Sequence, residues 1–333
     1  MGVLTGNFKT VLNYSSNISE LEMVEMELIN SLSDSRGTVR EMNSHILNAG
    51  GKRLRPLLVL YSGMLFSENT DGLIKAAVAA ELIHMASLVH DDIIDDSPLR
   101  RNKPSVNKVW GNYFAVLGGD YLFAKAFGIL SSNRLYKSLD YMVEAIGNMC
   151  HGEIFQAEDR FNCDTNLEKY YEKIALKTAV FLKCCCESGA AISGAGIEET
   201  ELLGEYGMNL GLAFQIIDDL LDFKGCVESM GKPRNEDLRQ GNITLPIVLL
   251  LKHDLYGTWI RGLIEGKSID EEVMEEICTV LKETGIMERC VEIAFSHIEK
   301  AKQSLSSIPG SFYKESLLKL ADYLRTRVDF TAS

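Results

Sequence analysis

Residues 73–96 read LIKAAVAAELIHMASLVHDDIIDD, and this stretch decides the fold. Ala76, Ala80, Ile83, Ser87 and Asp91 recur at intervals of three and four. On a helix these residues share one face, small and apolar for three turns and acidic at its end. Long runs of Ala, Leu, Glu and Met continue this character through the chain, and there are only six prolines in 333 residues. The expected fold is therefore all-α. Breaks fall at 48–51, 97–104, 162–165, 194–196 and 224–245, where Gly, Pro, Asn and Asp gather. None reads as an interdomain linker, so residues 1–333 are expected to form a single domain. There is no short-period repeat, but QIIDDLLDF at 215–223 echoes LVHDDIIDD at 88–96.

In both echoing segments the acids are spaced i, i+1 and i+4: Asp91, Asp92 and Asp95, then Asp218, Asp219 and Asp222. Helical i and i+4 side chains lie one above the other, so Asp91 with Asp95 and Asp218 with Asp222 each form a two-carboxylate claw. Two like charges there repel by about 0.2–0.5 kcal/mol on a bare helix, which calls for a cation. Hard oxygen ligands suit Mg²⁺, which completes its shell with water and phosphate oxygens. The bland reading is a solvated acidic face. Against it, both clusters are embedded in apolar sequence, and neither motif intersperses Lys or Arg as helices built on surface ion pairs do.

Basic residues accompany the acids. Gly50-Gly51-Lys52-Arg53-Leu54-Arg55-Pro56 places three cations after a glycine turn, and Arg100-Arg101 follow the first cluster. Taken singly, each basic pair is more often solvated surface. Beside magnesium-binding acids they supply what a diphosphate needs, because the metal neutralises some oxygens and Arg forks grip others. With 47 acidic against 34 basic residues the net charge is −13, which excludes a nucleic-acid partner as the ordinary case. Eight cysteines without CxxC pairs read as reduced, buried, small apolar residues. The start of the chain, MGVLTGNFKT, lacks both an apolar signal core and the myristoylation pattern. A cytoplasmic location is expected, with at most peripheral membrane contact.

These motifs resemble the trans-prenyltransferase family, the polyprenyl diphosphate synthases. The resemblance is carried by GGKRLRP at 50–56, ELIHMASLVHDDIIDDSPLRRNKPSVN at 81–107, GLAFQIIDDLLDF at 211–223 and GKPRNEDLRQGNITLP at 231–246. It implies an isoprenoid-synthase helical bundle around a deep central cavity. It further implies Mg²⁺-dependent, head-to-tail condensation of isopentenyl diphosphate with an allylic diphosphate, with several Mg²⁺ per site. Asp91 and Asp95 match the principal metal ligands on one side and Asp218 the ligand opposite, with Asp222 completing its claw. Lys52, Arg55, His84 and Arg101 match positions that bind isopentenyl diphosphate. Arg100, Lys177, Thr178, Gln215 and Lys232 match those serving the allylic substrate, Lys177 holding the diphosphate while the Thr178 and Gln215 oxygens face a positive carbon. Without the resemblance, His84 would read as a packed helix residue.

One departure is plain: many relatives carry Lys where this chain has Asn242, so one cation is missing or supplied elsewhere. The DLRQGNITLP version is most similar to the large catalytic subunit of bacterial heptaprenyl-type synthases, which work with a small helical partner, so either a homodimer or such a heteromer is expected. Ala86 and Ser87, five and four residues before Asp91, are too small to stop a growing chain, and Ile83 and Ala80 deeper on that face offer only a moderate obstacle. Spacing alone then predicts a product of about six to eight isoprene units, C30 to C40. A shorter C15–C20 synthase is the alternative. A terpene cyclase of the same fold would not usually keep this basic set. His90-Asp91 raises an HD-type metal phosphohydrolase, which needs further His ligands than six histidines readily give. A helical scaffold with structural Ca²⁺ lacks the glycine-containing loop of an EF-hand.

Overall fold

The computed structural model describes residues 19–224 and 236–328. The chain folds into two compact units. Among the described residues one comprises 19–146, 184–204 and 308–317, and the other 147–183, 205–224, 236–307 and 318–328. Both are built from helices, as the absence of alternating β-branched runs requires.

The first unit is organised by α1 (Ser19–Leu32), α2 (Gly37–Asn48), α3 (Leu54–Met64) and α4 (Asp71–Ile94). A two-stranded ribbon, β1 (Leu99–Arg100) with β2 (Lys103–Pro104), follows, then α5 (Val106–Trp110) and α6 (Asn112–Ser132). The helix anticipated over 73–92 is present, but it buries nearly every side rather than one stripe: Leu73, Ala76, Ala77, Val78, Ala79, Ala80, Leu82, Ile83 and Ala86 are all inaccessible. A helix apolar all round is a core helix, and α4 packs chiefly along α6, then against α3 and α1. The ribbon departs from the purely helical expectation. Pro98 and Pro104 interrupt the helix, and the two-residue turn Arg101-Asn102 adopts the positive φ that a tight antiparallel hairpin demands, 52° and 61°.

α4 and α6 are both long and apolar enough to cross a membrane, but their burial separates them. The most apolar window of α4 is 72% buried and that of α6 only 33%. α6 leaves Tyr113, Phe114, Val116 and Leu117 exposed.

The second unit contains α8 (Leu167–Ile174), a π-helical turn (Ala175–Ala179), α11 (Glu236–Arg239), α12 (Leu245–Leu251), α13 (Gly257–Glu265), α14 (Glu271–Glu283) and α15 (Ile286–Ser304). Parts of α7 (Tyr136–Glu158), α9 (Val180–Ile192), α10 (Ile197–Lys224) and α16 (Phe312–Thr326) belong to each unit. α8 starts where the sequence breaks, with the Asn166 side chain accepting from the Lys169 backbone N–H at 2.9 Å. The core of this unit gathers Tyr170, Phe181, Tyr206, Leu210, Ile216 and Ile217.

The cysteine expectation needs correction at two positions. Cys150 is exposed, and Cys278 is disulfide-bonded. Cys163, the run Cys184–Cys186 and Cys290 are buried free thiols.

Candidate active site

In the first unit the acids sit at the end of α4. Asp91 lies in its last turn and Asp95 caps it, with the Asp95 N–H bonded to the Asp91 carbonyl at 2.9 Å. The helical i, i+4 relation of the claw therefore survives one residue past the helix. Both outer acids are half-buried, whereas Asp92 is buried. Arg100 donates to Asp92 Oδ1 from Nε (2.8 Å) and Nη2 (2.5 Å). Burial raises the Asp92 carboxyl above its ordinary value, and Arg100 opposes that rise. Arg100, expected to serve the allylic substrate, thus spends its fork on the middle aspartate.

The basic residues assemble around a carboxylate the motif reading did not single out. Glu81, buried on α4, pairs with Arg53 at 2.8 Å, and Arg53 also bonds Glu25. Glu81 further offsets the charge of Arg55 and Arg101, both of whose guanidinium pKa values burial pushes down. Gly51 permits this crowding, since a Cβ there would stand 2.7 Å from Arg53 Nη1 and 3.0 Å from Arg101 Nη1. Arg53, Asp96, Arg101 and Asn102 all have positive φ, and left-handed non-glycine residues concentrate where a site imposes its geometry. His84 lies in the same field. Burial first, then Arg55, Arg101, Arg100 and Arg53, hold its pKa well below the usual histidine range, so it is neutral at pH 7. Its buried Nδ1 has no hydrogen-bond partner among the described residues, a polar atom that a ligand oxygen would satisfy. Lys52 is exposed beside Gly51.

In the second unit Lys177 and Thr178 ride the π-helical turn, a local widening common at functional positions. Close backbone approach holds it. A Cβ at Gly152 would stand 2.8 Å from the Lys177 nitrogen, and one at Gly211 would stand 2.5 Å from the Ala179 α-carbon. Lys177 pairs with Glu153 at 2.8 Å. Thr178 Oγ1 donates to Gln215 Oε1 (2.8 Å), Gln215 Nε2 donates to Asp219 Oδ1 (2.9 Å), and the Tyr170 hydroxyl donates to Asp219 Oδ2 (2.7 Å). Burial pushes Asp219 up to about 7, although the Tyr170 and Gln215 bonds favour its charged form. Asp218 and Asp222 are half-buried near the end of α10, and Arg327 bonds Asp218 at 2.6 Å. Lys232 lies outside the described residues.

Sequence reasoning passed over Glu81, Asp92, Tyr170, Asp219 and Arg327 as working parts. Glu81 carried a signal, being the lone acid in an otherwise apolar stretch of α4. Nothing in the spacing marks Tyr170 or Arg327.

The donors fit a hard divalent cation. Each claw is all-oxygen and sits toward the negative end of a helix dipole, and the last turn of α4 carries no basic residue. Among the described residues no three His, Cys, Asp or Glu side chains close on one point.

An all-α chain with two such claws and a glycine-arginine cradle defines an enzyme class, the isoprenoid-type diphosphate synthases. The polyprenyl synthetase family model matches residues 36–281, and the chain belongs to that family. It is 35% identical to heptaprenyl diphosphate synthase component 2 of Bacillus subtilis over 98% of this chain and 93% of that one. Among solved structures it resembles a decaprenyl diphosphate synthase from Rhodobacter capsulatus, with TM-score 0.89, 29% identity, and coverage of 96% of this chain and 99% of that one. It also resembles a polyprenyl synthase from Caulobacter crescentus complexed with calcium and isoprenyl diphosphate, with TM-score 0.87, 30% identity, and 96% and 97% coverage. The chain is a trans-prenyltransferase.

Proposed function

We propose that the chain condenses isopentenyl diphosphate with an allylic diphosphate, head to tail, to give an all-trans polyprenyl diphosphate of about C30–C40. The observation that carries this reading is common to both units. Each DDxxD motif buries its middle acid among protein donors and leaves the i, i+4 pair half-buried at a helix end. Mg²⁺ held by Asp91, Asp95, Asp218 and Asp222 would neutralise the diphosphate and make it a leaving group.

The chain's own residues do the rest. Lys52, Arg55, Arg101 and neutral His84 hold isopentenyl diphosphate, and Lys177, with Lys232, holds the allylic diphosphate. Oxygens of Thr178 and Gln215 face the allylic cation left when the C–O bond ionises; the isopentenyl double bond attacks that cation, and a proton leaves to the departing diphosphate. Arg100 acts one step back, fixing Asp92. Fixed charges and dipoles aimed at developing charge supply most of such a rate enhancement.

The product length rests on two small residues, Ser87 on the face that ends in Asp91 and Ala86 next to it. The name of the heptaprenyl relative, seven isoprene units, supports it, whereas that of the decaprenyl relative denotes a longer chain. The exposed apolar strip of α6 supports a homodimer through that helix, and the name "component 2" of the Bacillus subtilis relative supports a heteromer with a small helical subunit. A cytoplasmic location and a single folding domain over 1–333 complete the reading; the family match runs unbroken through both units.

The test is to incubate the purified chain with labelled isopentenyl diphosphate, farnesyl diphosphate and Mg²⁺ and to size the extracted products. A ladder ending near C30–C40 is expected. Starter alone, both without and with an added small subunit, would end the elongation reading. Ser87→Phe places a ring on the α4 face and shortens the ladder to about C20.

A further inference from the structure

On the reading above, the residues that hold isopentenyl diphosphate come from two separate stretches of the first unit. Lys52 and Arg55 follow the end of α2, and Arg101 occupies the tip of the β1–β2 hairpin. A ribbon with two residues in each strand is too small to fix its own position, so what it rests on sets the place of Arg101. Arg100 ties one strand to α4 through Asp92. The other strand rests on α2. The Lys103 ammonium donates to the Asn48 carbonyl at 2.6 Å, and His45 Nε2–H donates to the Pro104 carbonyl at 2.7 Å. A carbonyl can only accept, which fixes a proton on that nitrogen. The imidazole stands edge-on to Trp110, with ring centroids 5.3 Å apart and planes at 81°. Trp110 in turn packs against the buried cluster of Met42, Val89 and Val106. Asn48 is the last residue of α2, where free carbonyls form the negative end of the helix dipole and suit a lysine.

Close packing does not replace these two bonds. α2 and the hairpin face each other across a cavity lined by Ile46, Ala49 and Gly50 on one side and by Arg100, Arg101 and Pro104 on the other. The two arms nonetheless meet closely at one point, because Arg101 Nη1 lies 3.0 Å from where a Cβ of Gly51 would stand. We propose that His45 and Lys103 are positioning residues for isopentenyl diphosphate, bracing the hairpin on the end of α2 so that Arg101 keeps its place at Gly51, in one cradle with Lys52 and Arg55. This rests on the prenyl-transfer reading above. Neither side chain contacts the substrate; both act through the backbone they hold. Two clamping arms bind a diphosphate well only at a fixed separation, so loosening one arm weakens that ligand and spares the allylic one.

Calorimetric titration of isopentenyl diphosphate into the full chain, with Mg²⁺ and an inert allylic thiolodiphosphate present, reads the brace without turnover. His45→Ala removes the N–H and His45→Gln keeps a side-chain N–H; Lys103→Met removes the ammonium and Lys103→Arg keeps a cationic donor. His45→Ala and Lys103→Met should each raise the Kd for isopentenyl diphosphate about fivefold, the worth of one net hydrogen bond, while the Kd for the allylic analogue titrated alone with Mg²⁺ stays within about twofold. His45→Gln and Lys103→Arg should return to within about twofold of the unmutated chain. An unchanged Kd in His45→Ala or Lys103→Met overturns the proposal, as does equal weakening of both ligands or no recovery in the conservative variants. So does unfolding of either variant, which would make the contacts part of the fold alone, or an unmutated chain that does not bind isopentenyl diphosphate. The product ladder judges the prenyl-transfer reading separately: a chain that binds as expected and makes no product loses elongation and keeps the brace.

Discussion

The two aspartate motifs are nearly the same in sequence and differ in how their middle acid is held. Asp92 is buried against a guanidinium, so its environment is ionic and Arg100 opposes the rise that burial imposes. Asp219 is buried against neutral donors, Tyr170 and Gln215, and is pushed up to about 7. The difference teaches that DDxxD is two devices in one string. The outer acids are donors toward solvent, and the middle acid is an anchor whose partner decides what it organises. In the first unit the anchor ties α4 to the hairpin bearing Arg100 and Arg101. In the second it ties α8 to Gln215 and, through Gln215, to Thr178 in the π-helical turn.

If that division is right, the outer acids have the largest effect on activity. Asp91→Asn and Asp218→Asn should each lower kcat/KM about 10³-fold, roughly 4 kcal/mol of transition-state stabilisation, with circular dichroism unchanged. Steady-state kinetics at saturating Mg²⁺ checks this. Comparable losses from the outer and middle acids would erase the distinction between them.

The second effect is on the pH dependence of stability in metal-free protein. A carboxyl whose folded pKa lies above its unfolded value near 4 binds its proton more tightly when folded. The Asp219 contribution is therefore fully present below about pH 4 and is lost as pH rises toward about 7. The full swing is on the order of 4 kcal/mol. Denaturant titrations at pH 5 and pH 8 should show a stability fall that Asp219→Asn flattens. An unchanged slope in that variant would place the carboxyl in an ordinary environment.

Smaller effects separate the partners. Arg100→Ala leaves Asp92 buried beside an empty place and should destabilise by about 2–3 kcal/mol, below the usual cost of breaking a buried pair because Arg100 is itself partly exposed. Tyr170→Phe removes one hydrogen bond from Asp219 and should cost about 1–2 kcal/mol. Chemical denaturation ranks them, and the reverse order would make the neutral anchor the stronger one.

Much of this was legible in the sequence because it was local. The i, i+4 backbone relation of Asp91 with Asp95 holds, even though the helix ends at Ile94, because the Asp95 N–H still closes on the Asp91 carbonyl. The breaks at 48–51 and 194–196 fall where Gly50 and Gly194 take positive φ. What stayed hidden was long-range. Tyr170 and Asp219 are 49 positions apart, and Arg327 and Asp218 are 109 apart, so no periodicity links them. The Arg53–Glu81 tie is hidden for the same reason, and it sets Arg53 apart as an ion-paired residue within a basic run that reads as three equal cations. The stripe on α4 misled for another reason. Its Ala residues pack on all sides, so the acidic end is marked by where the helix stops rather than by which face is apolar.

The most direct measurement is calorimetric titration of an inert allylic thiolodiphosphate into the unmutated chain, Asp218→Asn and Asp219→Asn, each with and without Mg²⁺. Mg²⁺-dependent binding that weakens at least about tenfold in Asp218→Asn and survives in Asp219→Asn, although the latter turns over slowly, is the predicted result. Binding that is indifferent to Mg²⁺, or lost with Asp219 and kept without Asp218, would contradict the division of labour between outer and middle acids.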